Sequence, residues 1–305
     1  MFFQLPEPMQ KINFCVIAFS SFNPEDKYKT LSENALLFCK KHKIDISFIK
    51  NNHYLLPTKM KKEFLLNIQQ ENKVCLSYAG WYNSVMNLSN ELLEFIICKK
   101  KWFIWFSDSA AILNAITYNT WCITVYWFDY IFTFWTQWWP FFQDLINLIN
   151  FWILPDIANI KISPLSVFNN LSYIWHVMWW CLSSFVSLLW TSYLPTINND
   201  FIFFIEDINI HEKIIIQNIY QCCLQKNFLT HCKAIVFGKI TFPLWKENKQ
   251  EYVQQKIIDM LKDLWISIPC FFVENFWHGE YNFPLIIGQK MEIFQNNNVW
   301  TMRYI

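Results

Sequence analysis

Short apolar runs alternating with amphipathic stretches are what most restrict the fold of this chain. Residues 11–19 (KINFCVIAF), 45–49, 73–80 (KVCLSYAG) and 102–107 (WFIWFS) each read as a buried strand. Residues 31–41 and 59–70 read as helices between them, and 108–120 continues the last strand with Ala111/Ala115 and Ile112/Ile116 one helical turn apart. Parallel strands need a crossover and a helix supplies it, so the alternation implies βαβ units and an α/β fold. It resumes with a strand at 201–206 (FIFFIE), a helix at 212–226, a strand at 233–239 (KAIVFGK), a helix at 250–264 and a strand at 268–274. The expected organisation is an N-terminal parallel-sheet domain over 1–150, a linker over 151–170 marked by Pro155 and Pro164, and a second α/β domain over 171–305. Residues 121–160 are rich in aromatics and show no clear period.

Charge and cysteine usage exclude several function classes. A net charge of +1 gives no general polyanion-binding surface, so nucleic acid is not an implied partner. The start, Met1 to Pro8, lacks the basic and apolar regions of a secretory signal. Ten cysteines are scattered, with only Cys222 and Cys223 adjacent and no CxxC pair. Reduced thiols in a cytoplasmic protein are the expectation, with no metal site. Residues 173–194 (YIWHVMWWCLSSFVSLLWTSYL) contain no Asp, Glu, Lys or Arg, which meets the length test for a membrane-spanning helix. The competing reading is a buried segment of a globular domain.

Three local patterns bear on chemistry. In Phe103-Ile104-Trp105-Phe106-Ser107-Asp108 a strand ends in a serine and turns directly into a helix. That is the context of a nucleophile elbow, where helix N-terminal amides can stabilise an oxyanion, but a serine that merely caps the helix gives the same letters. In Phe203-Phe204-Ile205-Glu206-Asp207 a carboxylate ends an apolar strand; a solvated strand-end acid is the alternative. In Asn275-Phe276-Trp277-His278-Gly279 a histidine follows a strand, and a lone histidine in a loop is usually structural.

Together these patterns resemble the LD-carboxypeptidase/microcin C immunity family of serine peptidases, whose G-Y-S-D, F-L-E-D and F-G-H motifs carry Ser, Glu and His in that order. Val16 to Ser21 resembles the family's V-I-A-P-S-S turn, and Ala79 to Ser84 its G-G-Y-N-S loop. Ile235 to Lys239 resembles its I-V-I-G-x strand, and Pro284 to Gly288 its late P-x-x-x-G element. The Asn83-Ser84 pair leans toward the immunity branch. The resemblance implies a Rossmann- or flavodoxin-like N-terminal domain with Ser107 and a C-terminal domain with Glu206 and His278. It further implies that Ser107 attacks an amide carbonyl, that His278 is general base and acid, and that Glu206 orients the imidazole. The backbone N–H of Asp108, with one from the Gly80–Trp81 loop, would form the oxyanion hole, and no metal or organic cofactor is needed. The implied substrate is a muropeptide or a peptidyl- or aminoacyl-nucleotide antibiotic, and the family also suggests a homodimer. A catalytically inactive binding homologue and an integral membrane protein are the alternative classes.

The departures from the family are systematic. Trp81, Trp105, Trp121, Trp127, Trp179, Trp180, Trp190, Trp265 and Trp277 stand where the family has glycine, in a chain with four glycines and seventeen tryptophans. Average usage would give about twenty glycines. Three explanations compete: an inactive homologue that tolerates them, a decayed gene, or a gene whose UGA codons mean glycine. Phe19 and Phe128 replace family prolines, Cys181 an asparagine, and Gln217 the arginine after the acid motif.

Overall fold

The computed structural model describes residues 13–17, 29–41, 44–49, 65–66, 74–77, 85, 88–99, 101–127, 139–157, 160–166, 172–194, 199–243, 249–274, 276 and 283–305. The chain divides into two compact units, Met1–Pro155 and Asp156–Ile305.

In the N-terminal unit, strands β1 (Asn13–Ile17), β2 (Asp45–Ile49), β3 (Val74–Ser77), β4 (Trp102–Trp105) and β5 (Thr124–Tyr126) pair in the order β5-β4-β3-β1-β2. Every one of these pairings is parallel. All four residues of β3 and of β4 are buried. Strands covered on both faces read as continuous apolar runs rather than alternating ones, which is why VCLS and WFIW were legible. Helices α1 (Lys29–Lys41), α2 (Asn90–Lys99) and α3 (Ala110–Thr120) follow β1, β3 and β4, and α4 (Trp139–Phe151) follows β5. Almost every residue of α3 is buried, as expected of a helix apolar around most of its circumference. Of the helix expected at 59–70, only residues 65 and 66 are described, and both are helical.

The C-terminal unit is a closed barrel, in the order β10-β6-β13-β12-β7-β8-β9. Its strands are β6 (Lys161–Pro164), β7 (Ser172–Cys181), β8 (Phe201–Asp207), β9 (Cys232–Ile240), β10 (Cys270–Phe272), β12 (Lys290–Asn296) and β13 (Val299–Tyr304). The run β7-β8-β9-β10 is parallel, and the remaining pairings are antiparallel. A short strand β11 (Leu285–Ile287) precedes β12. Helices α5 (Leu182–Val186), α6 (Glu212–Cys223), α7 (Lys226–His231) and α8 (Gln250–Asp263) connect the parallel strands. In α8 the buried positions Gln250, Val253, Gln254, Ile257, Ile258 and Leu261 form one stripe at helical spacing.

One sequence expectation changes here, and one pair of competing readings is decided. The stretch read as a linker contributes β6, paired to both β10 and β13. The uncharged segment 173–194 is strand β7 followed by the five-residue α5 and turns. Its apolar character reflects burial between β8 and β12, and among the described residues no helix is long and apolar enough to cross a membrane.

Candidate active site

Ser107 stands beyond the C-terminal end of β4, where open parallel sheets place their ligand sites. Its φ is 60°, in the left-handed region. A serine there costs about 1–2 kcal/mol of backbone strain. A 3-10 turn, Ser107–Ser109, leads into α3. The N-cap of α3 is Ser109, two residues later, and the Ser109 hydroxyl donates to the Phe106 carbonyl rather than capping the helix. Ser107 is therefore not the helix cap. The aromatic rings of Phe106 and Tyr126 stack at 5.4 Å beside it, and Trp105, two residues before it, is fully buried. A strained, half-buried serine between a strand end and a helix start is the backbone form of a nucleophile elbow.

Glu206 lies near the end of β8, whose seven residues are all buried, and Glu206 itself is 0% exposed. The solvated strand-end acid is thereby excluded. Its register partner on β7 is Cys181. Burial, with Asp207 and then Glu206 close by, pushes the Cys181 thiol well above its usual range, so that it stays neutral. Asp207, the next residue, has a different task. Its Oδ2 accepts from the Ser183 N–H at 3.0 Å and the Ser183 hydroxyl at 2.7 Å, and its Oδ1 from the Ile208 N–H at 2.9 Å. Cys181 has no capping hydrogen bond at the start of α5, so Asp207 caps that helix from the neighbouring strand.

The neighbourhood of Glu206 also contains a bulge in β9. Pairing of β8 with β9 shifts between Ile205 and Asp207, which face Phe237 and Ile240. The Lys239 N–H donates to the Phe276 carbonyl at 2.9 Å, so the segment after β10 is bonded to β9 beside Glu206. Gln250 braces the same place from α8: its Oε1 accepts from the Ile240 N–H at 2.6 Å and its Nε2 donates to the Gly238 carbonyl at 3.4 Å. Sequence reasoning took Gly238 and Asp207 only as letters of two motifs. The signal for Gly238 was a lone glycine inside an apolar strand, the ordinary mark of a bulge.

Ser107 thus belongs to the N-terminal unit and Glu206 to the C-terminal unit. His278, Trp277, Gly80, Trp81, Asn83, Ser84, Phe19 and Phe128 lie outside the described residues, as does the side chain of Asp108. Gln217 is exposed on α6. Among the described residues no group of His, Cys, Asp or Glu is arranged to hold a metal ion.

Residues 180–293 match the LD-carboxypeptidase C-terminal domain family. No curated protein sequence matches the chain. Among solved structures, the chain is similar to a MccF-like protein from Bacillus anthracis str. Ames, with 18% identity, 98% of each chain covered and a TM-score of 0.77. The wild-type microcin C7 self-immunity protein MccF gives 17%, 99% of each chain and 0.78. The muramoyltetrapeptide carboxypeptidase from Oxalobacter formigenes gives 14%, 95% of this chain and 98% of that one, and 0.72. The fold is shared along nearly the whole length, and the stretch with the family's sequence signal is the one that carries Glu206. Residues 180–293 thus carry the LD-carboxypeptidase C-terminal domain signal, and the chain as a whole has the fold of MccF and of a muramoyltetrapeptide carboxypeptidase.

Proposed function

We propose that the protein is a serine amidase of the LD-carboxypeptidase type that hydrolyses an amide bond in a peptide-like small molecule. The observation that carries this is Ser107, held at φ 60° between β4 and α3 without serving as the helix cap. Strain of this kind persists where a function requires it. Glu206, buried at the end of β8, fits the partner role of a carboxylate that holds a histidine in one tautomer.

In the proposed reaction the Ser107 Oγ adds to the amide carbonyl while His278 takes the hydroxyl proton. The tetrahedral oxyanion is stabilised by the Asp108 N–H and by one from the Gly80–Trp81 loop. It collapses as His278 passes the proton to the leaving amine. Water then adds to the ester, losing its proton to His278, and the acid departs as Ser107 recovers that proton. Glu206 stays ionised and orients the imidazole.

For the substrate we favour an aminoacyl- or peptidyl-nucleotide, the class suggested by MccF structures holding aspartyl sulfamoyl adenosine and glutamyl sulfamoyl guanosine. A muropeptide with a terminal D-amino acid is the second reading, favoured by the fold shared with a muramoyltetrapeptide carboxypeptidase. The test is release of amino acid from aspartyl sulfamoyl adenosine and from a tetrapeptide muropeptide, alongside labelling by a serine-reactive phosphonate. Labelling of wild type but not of Ser107→Ala supports the amidase. A wild type that neither hydrolyses a substrate nor takes the label sinks it and leaves the inactive binding homologue.

A further inference from the structure

We propose that Gly238 is a positioning residue for the catalytic histidine, a role that rests on the amidase reading above. Between two matched pairs, Ile205↔Phe237 and Asp207↔Ile240, β8 advances from 205 to 207 while β9 advances from 237 to 240. The extra residue on β9 makes a bulge opposite Glu206, and a bulge re-aims neighbouring groups. The Phe276 carbonyl sits in the opening and accepts from Lys239. A Cβ at position 238 would lie 2.2 Å from that carbonyl oxygen, 2.6 Å from Phe276 Cδ1 and 3.1 Å from the Glu206 Cβ. The closest of these is backbone and has no rotamer by which to withdraw. Only glycine lets the chain beyond β10 lie against β9 beside the carboxylate.

The Phe276 ring fixes the other side of this contact. It packs against Phe283 at 5.3 Å, Phe204 at 5.6 Å and Trp179 at 5.9 Å. His278 follows Phe276 by two residues, a tether of at most about 7 Å. Displacing the Phe276 carbonyl therefore displaces the chain that leads to His278, the residue that the amidase reading pairs with Glu206. A misplacement of about 1 Å in a catalytic group can cost on the order of a hundredfold in rate.

The test compares Gly238→Ala with Gly288→Ala, a control at the positive-φ glycine (φ 88°) whose N–H donates to the Val177 carbonyl. On whichever substrate the wild type hydrolyses, Gly238→Ala is expected to lower kcat at least about tenfold with little change in KM. Its phosphonate labelling slows in parallel. Gly288→Ala is expected to lose thermal stability and keep kcat. Equal kcat in the two variants, or a Gly238→Ala chain that does not fold, overturns the positioning role in favour of a structural one. A wild type inert to both substrates and probe instead overturns the amidase reading beneath it.

A separate observation concerns tryptophan. Three helices end on one in the left-handed region: α3 on Trp121 (φ 60°), α4 on Trp152 (φ 56°) and α8 on Trp265 (φ 57°). After α8, the Trp265 N–H donates to the Lys262 carbonyl at 2.9 Å and the Ile266 N–H to Leu261 at 2.8 Å. That double closure is a Schellman motif, whose left-handed residue is ordinarily glycine. Trp265 is 96% exposed, so burial does not offset its strain. Of the other described non-glycine residues at positive φ, Asn209, Asn297 and Asn298 are of the tolerated type, and Ser107 is the elbow.

From this geometry we infer that glycine occupies positions 121, 152 and 265 in the protein as its cells make it, through UGA codons read as glycine. Trp152 is not among the positions marked by family resemblance, so the backbone points there independently. Peptide mapping of protein from the source cells, beside the coding DNA, tests this. TGA codons and glycine-containing peptides at the three positions are expected. TGG codons, or tryptophan in those peptides, overturn it. In recombinant protein, Trp265→Gly should raise the melting midpoint more than Trp265→Ala. Equal shifts would overturn the argument from backbone strain.

Discussion

Strands β4 and β8 are alike in composition and end on very different terms. Both are short, apolar and buried throughout, and both lead into a polar residue from the candidate site. After β4 the backbone turns left-handed at Ser107, and the side chain is presented by strain in the main chain. At the end of β8 the strand stays extended through Asp207, and the adaptation is in the neighbour: β9 bulges opposite Glu206. The proposed nucleophile would have to be exposed to its substrate, which a tight turn achieves. The proposed orienting carboxylate would have to be held and kept dry, which a buried barrel strand achieves.

The largest effect expected from this comparison is at the turn. Ser107→Ala should lower kcat on the order of 10^4-fold or more, read as substrate turnover. Glu206→Gln should lower it roughly 10^3- to 10^4-fold, because the amide no longer favours the productive histidine tautomer. Comparable losses in a chain with unaltered circular dichroism would fit the shared mechanism; an unfolded Glu206→Gln would give β8 a structural duty instead. The strain at 107 is separable from its chemistry. Ser107→Gly should be as inactive as Ser107→Ala but more stable by about 1–2 kcal/mol in denaturant unfolding. Removing the cap beside Glu206, with Asp207→Ala, should cost about 1 kcal/mol through α5.

The smallest expected effect is one of pH, on β7 beside β8. Burial first, and then the charge of Lys290, lowers the pKa of His176 below its ordinary 6.5. The unfolded chain then takes up the proton first as pH falls. Stability is full above about pH 6.5 and declines as pH drops through the lowered folded value. His176→Asn should flatten that slope in pH-dependent melting curves.

The elements best read from sequence were those in which a single rule governs. The runs behind β3, β4 and β8 are apolar because both faces are covered, and α8 repeats at helical spacing along one stripe. Helix α4 was hidden, although Leu145, Leu148 and Ile149 keep its buried stripe, because aromatics around them mask the period. The uncharged run at 173–194 meets the length test for a membrane span, but the competing reading of a buried segment is the one that fits β7, a barrel strand paired on both sides. At the candidate site, the positions of Ser107 and Glu206 at strand ends were legible from the apolar runs that precede them. The bulge was not, since what forbids a side chain at 238 is a carbonyl at 276, and no local pattern encodes that contact.

Closure of the barrel has a consequence in time. Strand β6 finds its antiparallel partner in β13, and the Thr301 hydroxyl bonds to the Ile160 carbonyl across 141 residues of sequence. During synthesis, at roughly 5–20 residues per second, β6 emerges many seconds before that partner does. Its edge stays unpaired meanwhile, open to wrong strands, and such late, long-range pairing is slow. The ribosome-bound chain therefore passes through an interval in which Glu206 has been made but the barrel that buries it has not closed.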